Sequence, residues 1–90
     1  MKVNGAYKYR IIAGNYYLIP VGEAAKKWDG PLQLTETAAW IWTALEEGKT
    51  SEVIVKEMTE EFDVEMDEAR RAVDGFCLSL LQQGILIESV

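Results

Sequence analysis

Histidine is absent from this 90-residue chain, and cysteine occurs once, as Cys77. Without histidine there is no Ser-His or Cys-His dyad, and most transition-metal sites lose their commonest ligand. Cys77 cannot close an intramolecular disulfide, falls on the apolar stripe of a predicted helix and has no sequence-visible base, so nucleophilic catalysis lacks its activator. No Gly-rich phosphate loop occurs. No apolar run approaches the roughly 18 residues of a membrane span, and the opening stretch "MKVNGAYKYRII" has no run of signal-peptide length. Together these absences predict a cytoplasmic protein that is not an enzyme, holds no cofactor or metal and touches no membrane.

Positive charge is scarce where it would matter for nucleic acid. Residues 1 to 33 carry five Lys/Arg against two Asp/Glu, whereas residues 34 to 90 carry four against thirteen, so the halves stand at +3 and −9. A net charge of −6 repels a phosphate backbone over the distances at which counterion release drives binding. The acidic residues from Glu46 to Glu68 read as a solvated helical face.

What is present is nearly half apolar sequence broken by short turn signals, enough for one modest core in one domain spanning residues 1 to 90. "KYRIIAGNYYLIPV" reads as a β-hairpin turning at Gly14-Asn15, which sets Ile11 opposite Leu18. Tyr9, Ile11, Tyr16 and Leu18 then share one face, and Lys8, Arg10, Ile12, Tyr17 and Ile19 the other. After the loop "GEAAKKWDGP", Leu32-Gln33-Leu34 is long enough for a short third strand at the sheet edge.

The remainder is helical by periodicity. Ala38, Ile41, Trp42 and Leu45 recur at i, i+3, i+4 and i+7 behind Thr35 as N-cap, with Gly48 closing the segment. A second helix runs from about Ser51 to Phe62 behind Thr50, burying Ile54, Val55, Met58 and Phe62. A third begins near Asp67, aligns Ala69, Val73, Phe76, Cys77 and Leu80, and stops at Gly84, leaving an apolar tail, "ILIE", to pack back on the core. The fold class is α+β: a three-stranded antiparallel sheet followed by three helices.

Two features exceed what such a core needs. Trp40 lies about 200° around its helix from Ala38, opposite the buried stripe, and either takes a cover from the amino-terminal hairpin or the loop at Trp28 or stands exposed to bind a partner. The third helix also carries a flank of Arg70, Arg71, Asp74, Leu78 and Leu81 beside its core stripe. Gly75 in mid-helix costs about 1 kcal/mol relative to alanine, which another backbone passing close by, or equally packing within the fold, would explain.

The stretches "LTETAAWIW", "EEGKTSEVIVKEMTEEFDV" and "VDGFCLSLLQQGIL" resemble the PqqD family over nearly the whole chain. Leu34, Ala38, Ala39, Ile41, Trp42, Gly48, Phe62, Phe76, Leu80 and Gly84 match its pattern, Thr35 replaces one good N-cap with another, and Ala72 and Leu78 depart from it. The resemblance implies a winged-helix-like domain that captures the leader segment of a ribosomally made precursor peptide and presents it to a modifying enzyme, a radical SAM protein in the quinone-cofactor pathway. It further implies that the leader adds as a β-strand, pairing with the backbone of Leu32, Gln33 and Leu34 against a wall of Arg70, Arg71, Asp74, Leu78 and Leu81, with the two arginines able to meet an acidic leader. An edge strand with unpaired N–H and C=O groups is physically suited to that use. Two rivals come from other classes: a winged-helix DNA-binding regulator, disfavoured by charge, and a structural homodimer paired through the exposed edge or an exchanged helix.

Overall fold

The computed structural model describes residues 1–88. Strands β1 (Lys2–Val3), β2 (Tyr7–Ile12), β3 (Asn15–Pro20) and β4 (Leu32–Leu34) precede helices α1 (Glu36–Glu46), α2 (Ser51–Phe62) and α3 (Met66–Gln82), and β5 (Leu86–Ile87) follows. A 3-10 turn at Gly22–Lys26 bridges β3 to β4. The antiparallel sheet expected from the sequence is present in the order β2-β3-β4. A second, two-stranded sheet pairs β1 with β5, at a length too short to read from periodicity.

The hairpin turns one residue earlier than its sequence implies. Ala13 and Gly14, both at positive φ (52° and 79°), form the two-residue turn, and Ile11 faces Tyr16 while Tyr9 faces Leu18. Turning at Gly14-Asn15 would have set Tyr9 opposite Pro20 and left Tyr7 beyond the end of β3. The observed register instead pairs Tyr7 with Pro20, buries Tyr7, and lets its hydroxyl accept from Trp28 Nε1 at 2.8 Å. Because the pairing slips by two residues, every side chain stays on its expected face. Leu18 is buried beneath the helices, with Leu32 and Leu34 packed beside it.

The helices begin where the caps predict. Thr35 Oγ1 accepts from Ala38 N–H at 3.0 Å, and Thr50 Oγ1 from Val53 N–H at 3.3 Å, each satisfying a donor that the first turn leaves free. At the end of α3, Gly84 adopts φ +76°, a region glycine enters without steric cost, and the Ile85 N–H donates back to Leu80 C=O at 2.9 Å. That reversal drives Ile85 and Leu86 into the core, where Asn4 ties the chain's beginning to them through its N–H on Ile85 C=O and its Nδ2 on Gly84 C=O, both 2.9 Å.

Two details of packing stand apart from the sequence pattern. Trp40 finds a neighbour the sequence did not single out: its ring meets Phe62 of α2 edge-on at 5.3 Å and 87°, while Trp28 is engaged by Tyr7. No neighbouring backbone explains Gly75, since a Cβ added there would meet nothing within 4 Å. Phe62 and Phe76 are half-buried against the core, while Ile41, Trp42 and Leu80 lie fully within it.

Trp42 has no exposed surface, and its Nε1–H has no hydrogen-bond partner among the described residues. Trp42→Ala is therefore expected to destabilise the domain by about 3 to 5 kcal/mol through the cavity it leaves. Trp42→Phe keeps most of the packing and removes the unpartnered donor, so it should cost distinctly less. Chemical denaturation of the two variants checks this; equal midpoints would contradict it.

Candidate functional site

Antiparallel pairing alternates between pairs that exchange two backbone hydrogen bonds and pairs that exchange none. A two-residue turn makes its flanking pair, Ile12 and Asn15, a bond-exchanging one, and alternation then makes Arg10 with Tyr17 another. The backbone of Tyr17 is thereby turned toward β2, while Tyr16 and Leu18 turn toward β4, where they meet Leu34 and Leu32. Gln33, opposite Tyr17, is left with its N–H and C=O pointing away from the sheet. The same alternation sends out the Pro31 C=O and the Thr35 N–H on either side of it.

Two prolines explain why this edge is so short. Pro20 lies in phase with Tyr16 and Leu18, so its backbone points toward the β4 side, where it has no N–H to offer. Pro31 immediately precedes β4 and has no outward N–H either. Pairing begins only at Leu32. The side chains of Leu32 and Leu34 are half-buried on the core face, and Gln33 is exposed on the other.

The five α3 residues expected to oppose this strand do not share one environment. Arg70 faces the start of α2, where its guanidinium holds Glu52 through two contacts of 3.1 and 3.2 Å. It lines an open cleft of about 400 Å³ with Glu52, Val53, Lys56 and Met66. Leu81 lies a little further round and packs on the core. Asp74, Arg71 and Leu78 are exposed, Leu78 to 57%. By helical geometry Arg71 and Leu78 stand about 80 to 100° beyond Arg70, bordering Gly75. The structure thus joins Leu32, Gln33 and Leu34 in one strand and divides the α3 residues between two sides.

A row that sequence reading passed over lies nearer the end of β4. Glu68, Ala72, Gly75 and Ser79 recur at i, i+4, i+7 and i+11, one stripe of the helix. Its first two members line a cleft of about 230 Å³ with Thr37, which belongs to the first turn after β4, and with Met58, Phe62 and Val64. The mid-helix glycine was the available signal, and it fits a surface left open rather than a packed one.

A third, wider cleft of about 440 Å³ is lined by Trp40, Lys49, Glu57, Glu60 and Glu61. Lys49 bridges Glu57 at 2.8 Å and Glu47 at 3.3 Å, and those hydrogen bonds raise its pKa. Burial, and after it the charge of Asp74, push the Cys77 thiol up, so it keeps its proton at neutral pH. No helix among the described residues is long and apolar enough to cross a membrane.

Fold and edge together define a small winged-helix-like α+β domain whose sheet ends in the short edge strand β4 on the side of α1 and in β2 on the other. The chain belongs to the PqqD family, whose model, described as coenzyme PQQ synthesis protein D, matches residues 28–86. No curated protein matches it. Among solved structures its fold is similar to that of TbiB1, determined in complex with the TbiA(beta) leader peptide: 24% identity, a TM-score of 0.82, and coverage of 100% of this chain and 99% of that one. It is also similar to a lasso peptide synthetase B1 complexed with its leader peptide, at 21% identity, a TM-score of 0.80 and coverage of 97% and 96%.

The Arg70–Glu52 contact has a titration consequence. Hydrogen bonding to Arg70, then its charge, lowers the Glu52 pKa from its ordinary 4.5. A depressed carboxyl stabilises the fold above its unfolded pKa and loses that contribution as pH falls through the folded one. Arg70→Ala should return Glu52 toward 4.5 in a carbon-detected NMR titration, and the difference in melting temperature between parent and variant should vanish as Glu52 protonates. Because both groups are exposed, added salt should shrink the difference.

Proposed function

We propose that this chain is a non-catalytic peptide-binding protein that captures the leader of a ribosomally made precursor peptide by strand addition to β4 and presents it to a modifying enzyme. The observation that carries the reading is the outward backbone of Gln33 at the open edge. Family membership and the leader complexes of the two structural neighbours support it. Residues 31 to 35 offer hydrogen bonds to an incoming chain, and Leu32, Gln33 and Leu34 set its register. The bound chain's alternate side chains turn toward α3, where Ala72, Gly75 and Ser79 leave room and Arg71 and Leu78 form the outer shoulder. Arg70, Asp74 and Leu81 belong to the far side of α3, and Arg70 is already occupied by Glu52.

The enzyme served is of the radical SAM class, as the family resemblance implies, and the setting is the cytoplasm, in keeping with a single cysteine. DNA is a poor occupant of α3, whose exposed surface carries Asp67, Glu68 and Asp74. A second copy pairing through β4 would compete for the same three residues, and sedimentation over a dilution series reports it.

Two substitutions test the capture. Gln33→Pro removes one outward N–H without touching a sheet bond, so it should leave the melting temperature near the parent value and weaken peptide binding by roughly twofold to tenfold, the worth of one hydrogen bond. A large loss of stability instead would show that the Gln33 N–H points into the sheet. Gly75→Ala should stabilise the free domain by up to about 1 kcal/mol. If the peptide backbone passes over Gly75, the same methyl weakens binding; unchanged affinity would remove Gly75 from the site. Both are read by calorimetry with a peptide selected from a displayed random library.

A further inference from the structure

The cleft at the head of the α3 stripe has a lining that the strand-addition reading leaves unused. Its floor is apolar, with Met58 buried and Phe62 and Val64 half-buried. Its one ionisable lining group is Glu68, exposed and in no ion pair among the described residues. Nearby cations do not neutralise it: Arg70 is held by Glu52, Lys49 by Glu47 and Glu57, and Arg71, three residues along, makes no ion pair with it. The site is therefore an apolar slot with a free negative charge in its wall.

The slot sits at the end of the open edge. Thr35 is the last residue of the outward series, and Thr37, two residues on, forms part of the wall. About 230 Å³ is room for one long side chain rather than a length of backbone. Ala72 keeps it open, since any longer residue at that exposed position would reach into it. The charge of residues 34 to 90, −9 net, adds a field that draws a cation and repels an anion.

Resting on the peptide-capture reading above, we propose that this cleft is a specificity pocket for a basic residue of the captured peptide. The methylene stem of a Lys or Arg lies over Met58, Phe62 and Val64, and its charged head meets the Glu68 carboxylate. The peptide selected is a cationic one, the opposite of the acidic leader that Arg70 and Arg71 imply when the sequence is read alone. Thr37, Glu68 and Ala72 are the residues that decide it.

The natural peptide need not be identified for the test. A displayed library of random peptides, each about 15 residues long, is selected in parallel against the parent domain and against Gln33→Pro, Glu68→Lys and Ala72→Leu. Glu68 and Ala72 are exposed, so their variants are expected to melt like the parent. The parent should enrich peptides with Lys or Arg at one fixed position. Glu68→Lys should replace that preference with Asp or Glu at the same position, and weaken binding of a parent-selected peptide on the order of tenfold. Ala72→Leu should shift the position toward short side chains. A parent consensus that ignores charge there, or one that Glu68→Lys leaves unchanged, overturns the pocket while the capture stands, as long as Gln33→Pro reduces selection. If the parent enriches no peptide, or if Gln33→Pro selects as well as the parent, the capture reading fails and the pocket fails with it.

Discussion

The pairing of Leu32 and Leu34 with Leu18 and Tyr16 is the constraint on which the rest of the molecule turns. It carries two leucines onto the core face and sends the Gln33 backbone out. It also delivers the chain to Thr35 in an extended conformation, φ −70° and ψ 165°, which is what an N-cap needs before α1 can begin. A one-residue slip would exchange the faces, expose both leucines and bury Gln33 without partners. The register is thus held by burial on one side, and the open edge on the other is its geometric consequence.

The helices were legible because each signal was long and redundant. Thr35 and Thr50 start their helices as their sequence positions imply, and the stripes of Ile54, Val55 and Met58 and of Ala69, Val73, Cys77 and Leu80 are the buried ones. The strand faces were legible for the same reason. The turn was harder, because Gly14-Asn15 and Ala13-Gly14 differ by one residue. The choice between them is made by Tyr7 and Trp28, both well removed from the turn along the chain, through a contact that no local pattern encodes. The strands β1 and β5, two residues each and near opposite ends of the chain, left no periodic trace.

The site was legible in part. The edge strand could be placed from its length and the Asp29-Gly30-Pro31 turn before it, but the division of α3 into two sides could not. The sequence draws the eye to Arg70, Asp74 and Leu81, and to Arg71 and Leu78 on the shoulder beside them, because charge and leucine stand out, whereas Glu68, Ala72, Gly75 and Ser79 are conspicuous only as a stripe of mostly small residues. What separates the two sides is the place of α1. Its first turn brings Thr37 to Ala72 and Glu68, and the start of α2 brings Glu52 to Arg70.

An edge this short also limits where selectivity can come from. Four outward groups, the Pro31 and Gln33 carbonyls and the Gln33 and Thr35 amides, are worth about 0.5 to 1.5 kcal/mol each, or about 2 to 6 kcal/mol together. Ordering a disordered peptide costs about 2 to 5 kcal/mol. The two nearly cancel, so backbone pairing aligns a peptide without holding it. Whatever net affinity remains must come from side chains, and backbone hydrogen bonds cannot tell one sequence from another. Under the proposed capture, a three-residue edge therefore assigns the reading of sequence to the α3 stripe and the cleft at its head, and makes attachment reversible enough for the peptide to be passed on.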